Sequence, residues 1–380
     1  MKFQSRHCRF LICLLAGWIY SYNAVCQSSL NDLENLDSLI TSISTPLYNQ
    51  EFQKAQTNIQ KLELRLPDHP IADFLYALNL IWKTIPDSNP PEFSSIESYL
   101  KSSIEKAELM LDMDEENTEG NFFLLMAHGL LAQYYGDQRS TFKAISEAKK
   151  AYNSVIKGLS LKDQYVEYHF SSGLYNYYRE KYPELYPIYK SFVWIFRSGD
   201  KTEGIRQIEY ASKYAILSNV EASHYLAFIN MRLEEKPYQA IQTLNNLLER
   251  YPNNYYFKML KLECLDMTGQ MSLGYAYLQD LILVNTPYVN MVAYAYGGVY
   301  AEKIEKNLRK AMSQYKSALQ IGEGIEDSGY HPKSVAYAGL ARISHANNDI
   351  DMAKSYYKKA KKLALSPSIK NEAKSYLDNH

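Results

Sequence analysis

The feature that most constrains this fold is a spacing of apolar residues that recurs along the chain. A small residue is followed by a large one four positions later and by another apolar residue after three more, and two copies end in proline. The copies are Ala240, Leu244, Leu247 and Pro252; Ala55, Ile59, Leu62 and Pro67; Gly274, Leu278 and Leu281; Ala311, Tyr315 and Ala318; and Ala353, Tyr357 and Ala360. Residues spaced in this way lie on one face of a helix, which proline cannot continue. Repetition of one helix type predicts a repeat array rather than two or three unrelated domains.

Residues ahead of these helices indicate a partner helix. Leu340 and Ala341 stand one helix length before Ala353, with Tyr337 in front of them. This pattern resembles the tetratricopeptide repeat, a 34-residue helix–turn–helix unit, and the match is best over 221–365. The resemblance implies an all-α fold, a right-handed α-solenoid of about eight helix pairs occupying 27–380 as a single array. We expect the second helices to be anchored at Ala55, Leu100, Ala144, Gly204, Ala240, Gly274, Ala311 and Ala353, with Ala144 continuing through Ala148 and Ala151.

Composition agrees with helices and adds an excess of tyrosine. The chain has 35 tyrosines against 13 phenylalanines and 3 tryptophans, and its 380 residues include only 16 glycines and 13 prolines. Scarce glycine and proline argue against collagen-like and low-complexity chains. In a repeat array we expect most tyrosines to pack between helices and a minority to face the concave surface. The net charge of −1 supplies no basic field, so nucleic acid is not a predicted partner.

The first 26 residues have the pattern of a secretory signal peptide. Basic residues precede an apolar run from Phe10 to about Tyr20, and small residues then favour cleavage before Gln27. The alternative is a lipoprotein anchored through Cys26, which we favour less because the residues before it depart from a lipobox. Cleavage leaves Cys264 as the single cysteine and no later stretch long enough to span a bilayer. The sequence therefore predicts an exported protein of the periplasm or cell envelope.

The longest interval between anchors contains an apolar insertion at about 182–200. Pro183 and Pro187 interrupt helices there, and most of 188–196 is apolar or aromatic. We expect an extra short helix packed on the solenoid. The alternative is an exposed patch in which Tyr186, Tyr189 and Trp194 contact a partner or a membrane interface.

A search for catalytic and metal-binding motifs predicts no enzyme, cofactor or metal. The histidines are scattered, with no His-Glu-x-x-His motif and no pair at metal-binding spacing. Asp112, Asp114 and Glu116 resemble the start of an EF-hand loop, but the required glycine and final glutamate are missing. Cys264 is expected to be a small buried apolar residue. No nucleophile elbow or phosphate-binding glycine loop occurs.

The usual inward positions of the repeat map onto a mixed set of side chains. These positions are Tyr225, Arg232, Tyr256, Glu263, Asp266, Arg342 and His345. Charges of both signs beside tyrosines favour a protein or peptide ligand over nucleic acid. We therefore expect a non-enzymatic protein–protein interaction scaffold that holds a peptide or protein segment in its concave groove. One alternative is an envelope protein that binds a glycan or small ligand on tyrosine platforms. Another, which we favour least, is an enzyme with its site at the 182–200 insertion.

Overall fold

The computed structural model describes residues 29–30, 34–85, 92–191, 193–325 and 329–380. The predicted signal peptide and Cys26 lie outside the described residues. Seventeen α-helices and no strand occur in the described part of the chain. The helices are α1 (Leu36–Tyr48), α2 (Phe52–Arg65), α3 (Ile71–Thr84), α4 (Phe93–Met113), α5 (Thr118–Asp137), α6 (Thr141–Leu161), α7 (Tyr168–Leu185), α8 (Lys201–Tyr214), α9 (Asn219–Phe228), α10 (Pro237–Arg250), α11 (Tyr255–Met267), α12 (Tyr275–Ile282), α13 (Pro287–Lys303), α14 (Leu308–Ile321), α15 (Tyr330–Ala346), α16 (Ile350–Leu363) and α17 (Pro367–Asn379).

The helices pack in consecutive pairs along the chain. α1 to α16 form eight pairs, each helix lies against its neighbours in sequence, and α17 covers the last pair. The first helix of one pair also contacts the first helix of the next pair. Examples are α11 with α13 and α13 with α15. The predicted all-α, tetratricopeptide-like array of helix pairs is therefore confirmed. None of the described helices is both long and apolar enough to cross a bilayer.

Local sequence explains where several helices begin. Asn117, Asp200, Asn254, Asn307 and Asp349 each precede a helix and accept a hydrogen bond from a backbone N–H in its first turn. These bonds satisfy donors that have no partner inside the helix. Three further helices, α10, α13 and α17, begin with proline, which fits the first turn of a helix because its missing N–H would have no partner there.

Seven of the eight predicted anchors lie on second helices, and Gly274 ends a 3₁₀ turn directly before α12. Every anchor except Ala144 is buried where the second helix approaches its neighbours, and the set that begins at Ala144 is wrong in register. Ala148 is exposed, and the buried face of α6 consists of Ala151, Ser154, Gly158 and Leu161. α6 is 21 residues long, and its close approach to α7 occurs near its end, where Gly158 meets the ring of Tyr168.

The array curves so that its first two pairs contact the pairs at its centre. Tyr48 and Trp82 donate hydrogen bonds of 3.0 and 2.7 Å to the Glu221 carboxylate, 173 and 139 residues away. Asn254 donates from its side-chain amide to the carbonyl of Tyr48 at 2.8 Å. One hydrophobic cluster accordingly runs from α1 through α11. In an open solenoid each repeat contacts only its neighbours. The contacts between distant repeats in this array therefore bring its first and central pairs together around the concave side.

Candidate functional site

The concave side of the N-terminal half encloses an apolar cavity of about 800 Å³. Its wall is built mainly by α3, α5, α7 and α9, the first helices of four successive pairs, which turn their aliphatic and aromatic side chains inward. The apolar cavity is lined chiefly by Phe74, Leu78, Ile81, Trp82, Phe122, Leu125, Met126, Leu130, Phe170, Leu174, Tyr178 and Tyr225. A volume of this size is typical of sites that bind small molecules.

Most of the polar side chains that border the apolar cavity, Ser171, Tyr175, Arg179, Ser218 and Glu221 among them, are already engaged within the protein. The Glu221 carboxylate accepts the bonds from Tyr48 and Trp82, and the Ser218 hydroxyl donates to Glu167 at 2.6 Å. His224 lies among aromatic rings, and both of its ring nitrogens are buried without a hydrogen-bond partner. The cavity thus offers contact area and shape rather than a series of hydrogen bonds.

A second hollow, the tyrosine pocket, has a volume of about 490 Å³. α11, α13 and α15 supply most of its wall, and the end of α5 borders it through Gly136, Asp137 and Arg139. The rings of Tyr256, Tyr288 and Tyr296 line it. Burial raises the pKa of each of these three phenols, so all three hydroxyls remain protonated and able to donate at neutral pH.

A charged cluster lies in the wall of the tyrosine pocket. Arg232, on a π-helical turn that follows α9, donates two hydrogen bonds of 3.0 and 2.6 Å to Glu263. The imidazole of His331 lies 3.1 Å from the same carboxylate. Burial alone would raise the pKa of Glu263, but Arg232 and His331 hold it well below its ordinary value. The pocket therefore combines a buried ion pair with tyrosine hydroxyls and apolar surface.

The structure brings together three of the predicted groove residues. Arg232, Tyr256 and Glu263 line the tyrosine pocket, whereas Tyr225 faces the apolar cavity. Whether any of them binds a ligand remains a prediction. Their shared location follows from the repeat, since equivalent positions of successive first helices face the same side of a solenoid.

The other three groove residues do not line either hollow. Asp266 pairs with Lys303 at 2.6 Å, and His345 contacts the hydroxyl of Tyr376 at 2.9 Å. Arg342 is held between two carboxylates, those of Glu302 and Glu372. Arg342 and His345 on α15 thus join α15 to α13 and α17, and their part in binding a ligand stays a prediction.

The insertion differs from the packed short helix that we expected. It contains two 3₁₀ turns, Pro187–Ser191 and Val193–Ile195, and its described apolar side chains are largely in solvent. Trp194 is 79% exposed and Tyr186 53%, while the side chain of Tyr189 lies outside the description. Phe196 packs edge-to-face on Tyr152 and lines the cavity, as do Tyr182 and Pro183 at the start of the insertion. The alternative hypothesis of an exposed aromatic patch fits these exposures.

The inward positions predicted from the sequence do not include Tyr288, Tyr296 and His331, which also line the tyrosine pocket. Tyr288 follows Tyr256 by roughly one repeat, and Tyr296 and His331 continue the position of Glu263 in α13 and α15. Extension of the inward positions at the repeat spacing through α13 and into the start of α15 predicts all three residues. The extra residue between Gly298 and Ala311 obscured the unit at 287–321. Within the described residues, no group of three or more histidine, cysteine, aspartate or glutamate side chains is placed to hold a metal ion.

Comparison with known proteins gives no relative by sequence. No protein-family model matches the chain, and no curated protein does. Among solved structures, yeast Tom70 is 12% identical with a TM-score of 0.37, covering 92% of this chain and 89% of that one. The human IFIT1 dimer with PPP-AAAA is 14% identical with a TM-score of 0.35, covering 88% and 86%. The TPR domain of P58(IPK) is 12% identical with a TM-score of 0.24, covering 91% and 97%. With TM-scores this low, the fold assignment rests on the helix pairing of the chain itself.

Proposed function

We propose that this chain is a non-enzymatic interaction scaffold that binds a segment of a partner protein in the tyrosine pocket. The observation that carries the proposal is the convergence of Tyr256, Tyr288 and Tyr296 around the Arg232–Glu263–His331 cluster on the concave side. A peptide brings unpaired backbone N–H and C=O groups, each of which needs a partner when it is buried. Tyrosine hydroxyls and a charged cluster supply such partners beside extensive apolar contact.

The proposed setting is the cell envelope of a bacterium. This part of the proposal rests on the signal-peptide pattern of the first 26 residues, and a lipid anchor at Cys26 is its alternative. The scaffold would then meet partner proteins outside the cytoplasm. The net charge of −1 and the mixed charges of the tyrosine pocket favour a protein over a nucleic acid.

Peptide selection followed by binding measurements tests the proposal. Peptides enriched from a displayed library on the purified chain would be measured by calorimetry against a Tyr256→Phe/Tyr288→Phe double variant. This variant keeps both rings and removes two hydroxyls, so binding is expected to weaken about fivefold for each lost hydrogen bond of about 1 kcal/mol. Tyr238→Phe is the matched control, because Tyr238 is 63% exposed on α10 and does not line the pocket.

The size of the tyrosine pocket supports a second candidate, a glycan or small-ligand site. About 490 Å³ lies within the range of small-molecule sites, and three tyrosine rings line the pocket. Saccharides that raise the melting temperature, when no peptide binds, would favour this candidate and contradict the scaffold. Loss of saccharide binding in the double variant, with retention in Tyr238→Phe, would place the ligand in the tyrosine pocket.

A further inference from the structure

The apolar cavity is separate from the tyrosine pocket, and its wall restricts the chemistry of an occupant. Trp82, Phe122, Leu130 and Leu174 come from three different helices, α3, α5 and α7, yet all border one space of about 800 Å³. Each methylene group of a ligand that is buried in such a space adds to the free energy of binding. The occupant that gains most is therefore long, flexible and apolar.

Most polar groups at the apolar cavity already have partners, and this favours one of two apolar occupants, a peptide or a hydrocarbon chain. An apolar peptide would bring one N–H and one C=O for nearly every residue, and each of these groups that is buried without a partner opposes binding. Glu221, Ser218, Ser171 and Tyr175 already have partners within the protein, and His224 adds a single imidazole. A hydrocarbon chain carries no such groups along its length. The cavity wall consequently fits an acyl chain better than a peptide.

The insertion forms an exposed apolar rim at one side of this cavity. The rim consists of Tyr182, Leu185, Tyr186, Trp194, Ile195 and Phe196. Tyr182 and Phe196 both line the cavity and remain 48% and 44% exposed, so the cavity wall reaches solvent at the rim. The indole N–H of Trp194 is satisfied by the carbonyl of Ser191 at 3.0 Å, which leaves its ring free to enter an apolar layer.

Basic side chains flank the apolar rim. Lys190 lies between Tyr186 and Trp194, and Arg197 follows Phe196; both are exposed. The nearby acid Glu184 faces Lys181 and Lys201, so its charge is offset within the protein. Tryptophan and tyrosine beside lysine and arginine are typical of segments that lie at the interface of an anionic bilayer. The charge of the rim therefore favours a lipid surface.

We propose that the apolar cavity is a lipid-binding site that takes one acyl chain, which enters through the rim while the rim touches a bilayer. The insertion breaks the repeat between α7 and α8, where a regular array needs no additional residues. Because the insertion lies beside the opening of the cavity, lipid entry would give its additional residues a function. The lipid site is independent of the peptide proposed for the tyrosine pocket.

Displacement of cis-parinaric acid, a naturally fluorescent fatty acid, by oleic acid tests the cavity in the mature chain. Gly129 lines the cavity, and a Cβ atom added there meets no atom within 4 Å, so Gly129→Phe or the smaller Gly129→Leu fills space without a backbone clash. We expect at least a tenfold loss of fatty-acid affinity in Gly129→Phe and little change in Gly129→Ala. Circular dichroism and melting temperatures confirm that each variant is folded.

Flotation with vesicles tests the rim. Vesicles of phosphatidylcholine with phosphatidylglycerol are expected to bind the chain more strongly than phosphatidylcholine alone, and Trp194→Ser/Ile195→Ser is expected to abolish flotation while sparing the affinity for oleic acid in solution. Tyr288→Phe, in the tyrosine pocket, should change neither measurement. A folded Gly129→Phe or Gly129→Leu protein that binds fatty acid as the wild type does would overturn the proposal. So would a wild-type chain that binds no fatty acid, including one that instead binds an apolar peptide in a Gly129-dependent way.

Discussion

The ring of Tyr315 occupies the space that a side chain at Gly339 would need. A Cβ atom added at Gly339 would overlap ring carbon Cζ and lie 2.6 Å from the hydroxyl oxygen. Gly298 makes the same approach from the other side, with its added Cβ 2.5 Å from Cδ1 of the ring. Tyr315 of α14 is thus enclosed between α13 and α15, and its hydroxyl donates to Glu302 at 2.6 Å. Two glycines make room for one tyrosine that joins three helices.

Gly339→Ala is expected to destabilise the fold because the added methyl group cannot fit beside Tyr315. Overpacking of this kind typically costs about 1–3 kcal/mol. Urea unfolding followed by circular dichroism measures the cost as a lower midpoint. Gly129→Ala is the matched control, since its methyl group enters open space and alanine favours a helix interior by about 1 kcal/mol. Equal midpoints for Gly339→Ala and wild type would show that α14 and α15 separate more easily than this packing implies.

The packing of Tyr315 could be predicted from sequence, whereas the closure of the array could not. Ala311, Tyr315 and Ala318 follow the local spacing of the repeat, and all three are buried as the resemblance implies. The contacts of Tyr48 and Trp82 with Glu221 join residues more than a hundred positions apart and follow no period. They depend on the cumulative curvature of five pairs. Periodicity describes adjacent helices and carries no information on that curvature.

The tyrosine pocket and the apolar cavity also differ in how far the sequence predicts them. Arg232, Tyr256 and Glu263 of the tyrosine pocket were predicted because equivalent positions recur in successive first helices. The apolar cavity was not predicted, because its residues are those of ordinary helix cores, and only the closure of the array leaves a space between them. Similarly, an apolar insertion does not reveal whether its residues are buried, so the exposure of Trp194 depended on tertiary structure.

Glu221→Ala is expected to loosen the closure of the array. The change removes the shared acceptor of the Tyr48 hydroxyl and the Trp82 indole, and each buried donor left unpaired costs about 1–3 kcal/mol. Hydrogen exchange should show reduced protection in α1 and α3, with less change in α15 and α16. Glu221→Gln keeps one acceptor oxygen and should lose less. Glu209→Ala, at an exposed position on α8, serves as control. Unchanged protection in α1 and α3 would mean that packing alone holds the closure.

Glu167 is predicted to be among the most sensitive buried residues of the chain. Its carboxylate accepts four hydrogen bonds at the start of α9, from the backbone N–H groups of Ile216, Leu217 and Ser218 and from the Ser218 hydroxyl. Glu167→Gln supplies one acceptor oxygen and turns an NH₂ group toward donors, so we expect a loss of about 2–4 kcal/mol. Glu249→Gln, which changes an exposed side chain on α10, should shift the urea midpoint very little. Similar midpoints for the two variants would contradict the role assigned to Glu167.

Acidification is expected to destabilise the chain through Glu263. Arg232 and His331 overcome the effect of burial and hold the pKa of Glu263 below its ordinary value of 4.5 in the folded protein. A carboxyl whose pKa is lower in the folded state contributes stability that is fully present above pH 4.5 and is lost as the pH falls toward the folded pKa. Arg342 likewise lowers the pKa of Glu302, although burial opposes this shift. Protonation of Glu302 therefore also lowers the stability of the fold as the pH falls.

Comparison of wild type with Glu263→Gln isolates this contribution. At neutral pH the variant leaves the buried Arg232 guanidinium without its counter-charge, so it should be less stable by about 3–5 kcal/mol. As the pH falls below about 4.5 the difference between the two proteins is expected to shrink, because the wild-type chain takes up a proton at Glu263 when it unfolds and the variant has no carboxyl group there. Urea unfolding at a series of pH values measures that difference. A gap that stays constant across the series would mean that the Glu263 pKa is the same in the folded and unfolded chains.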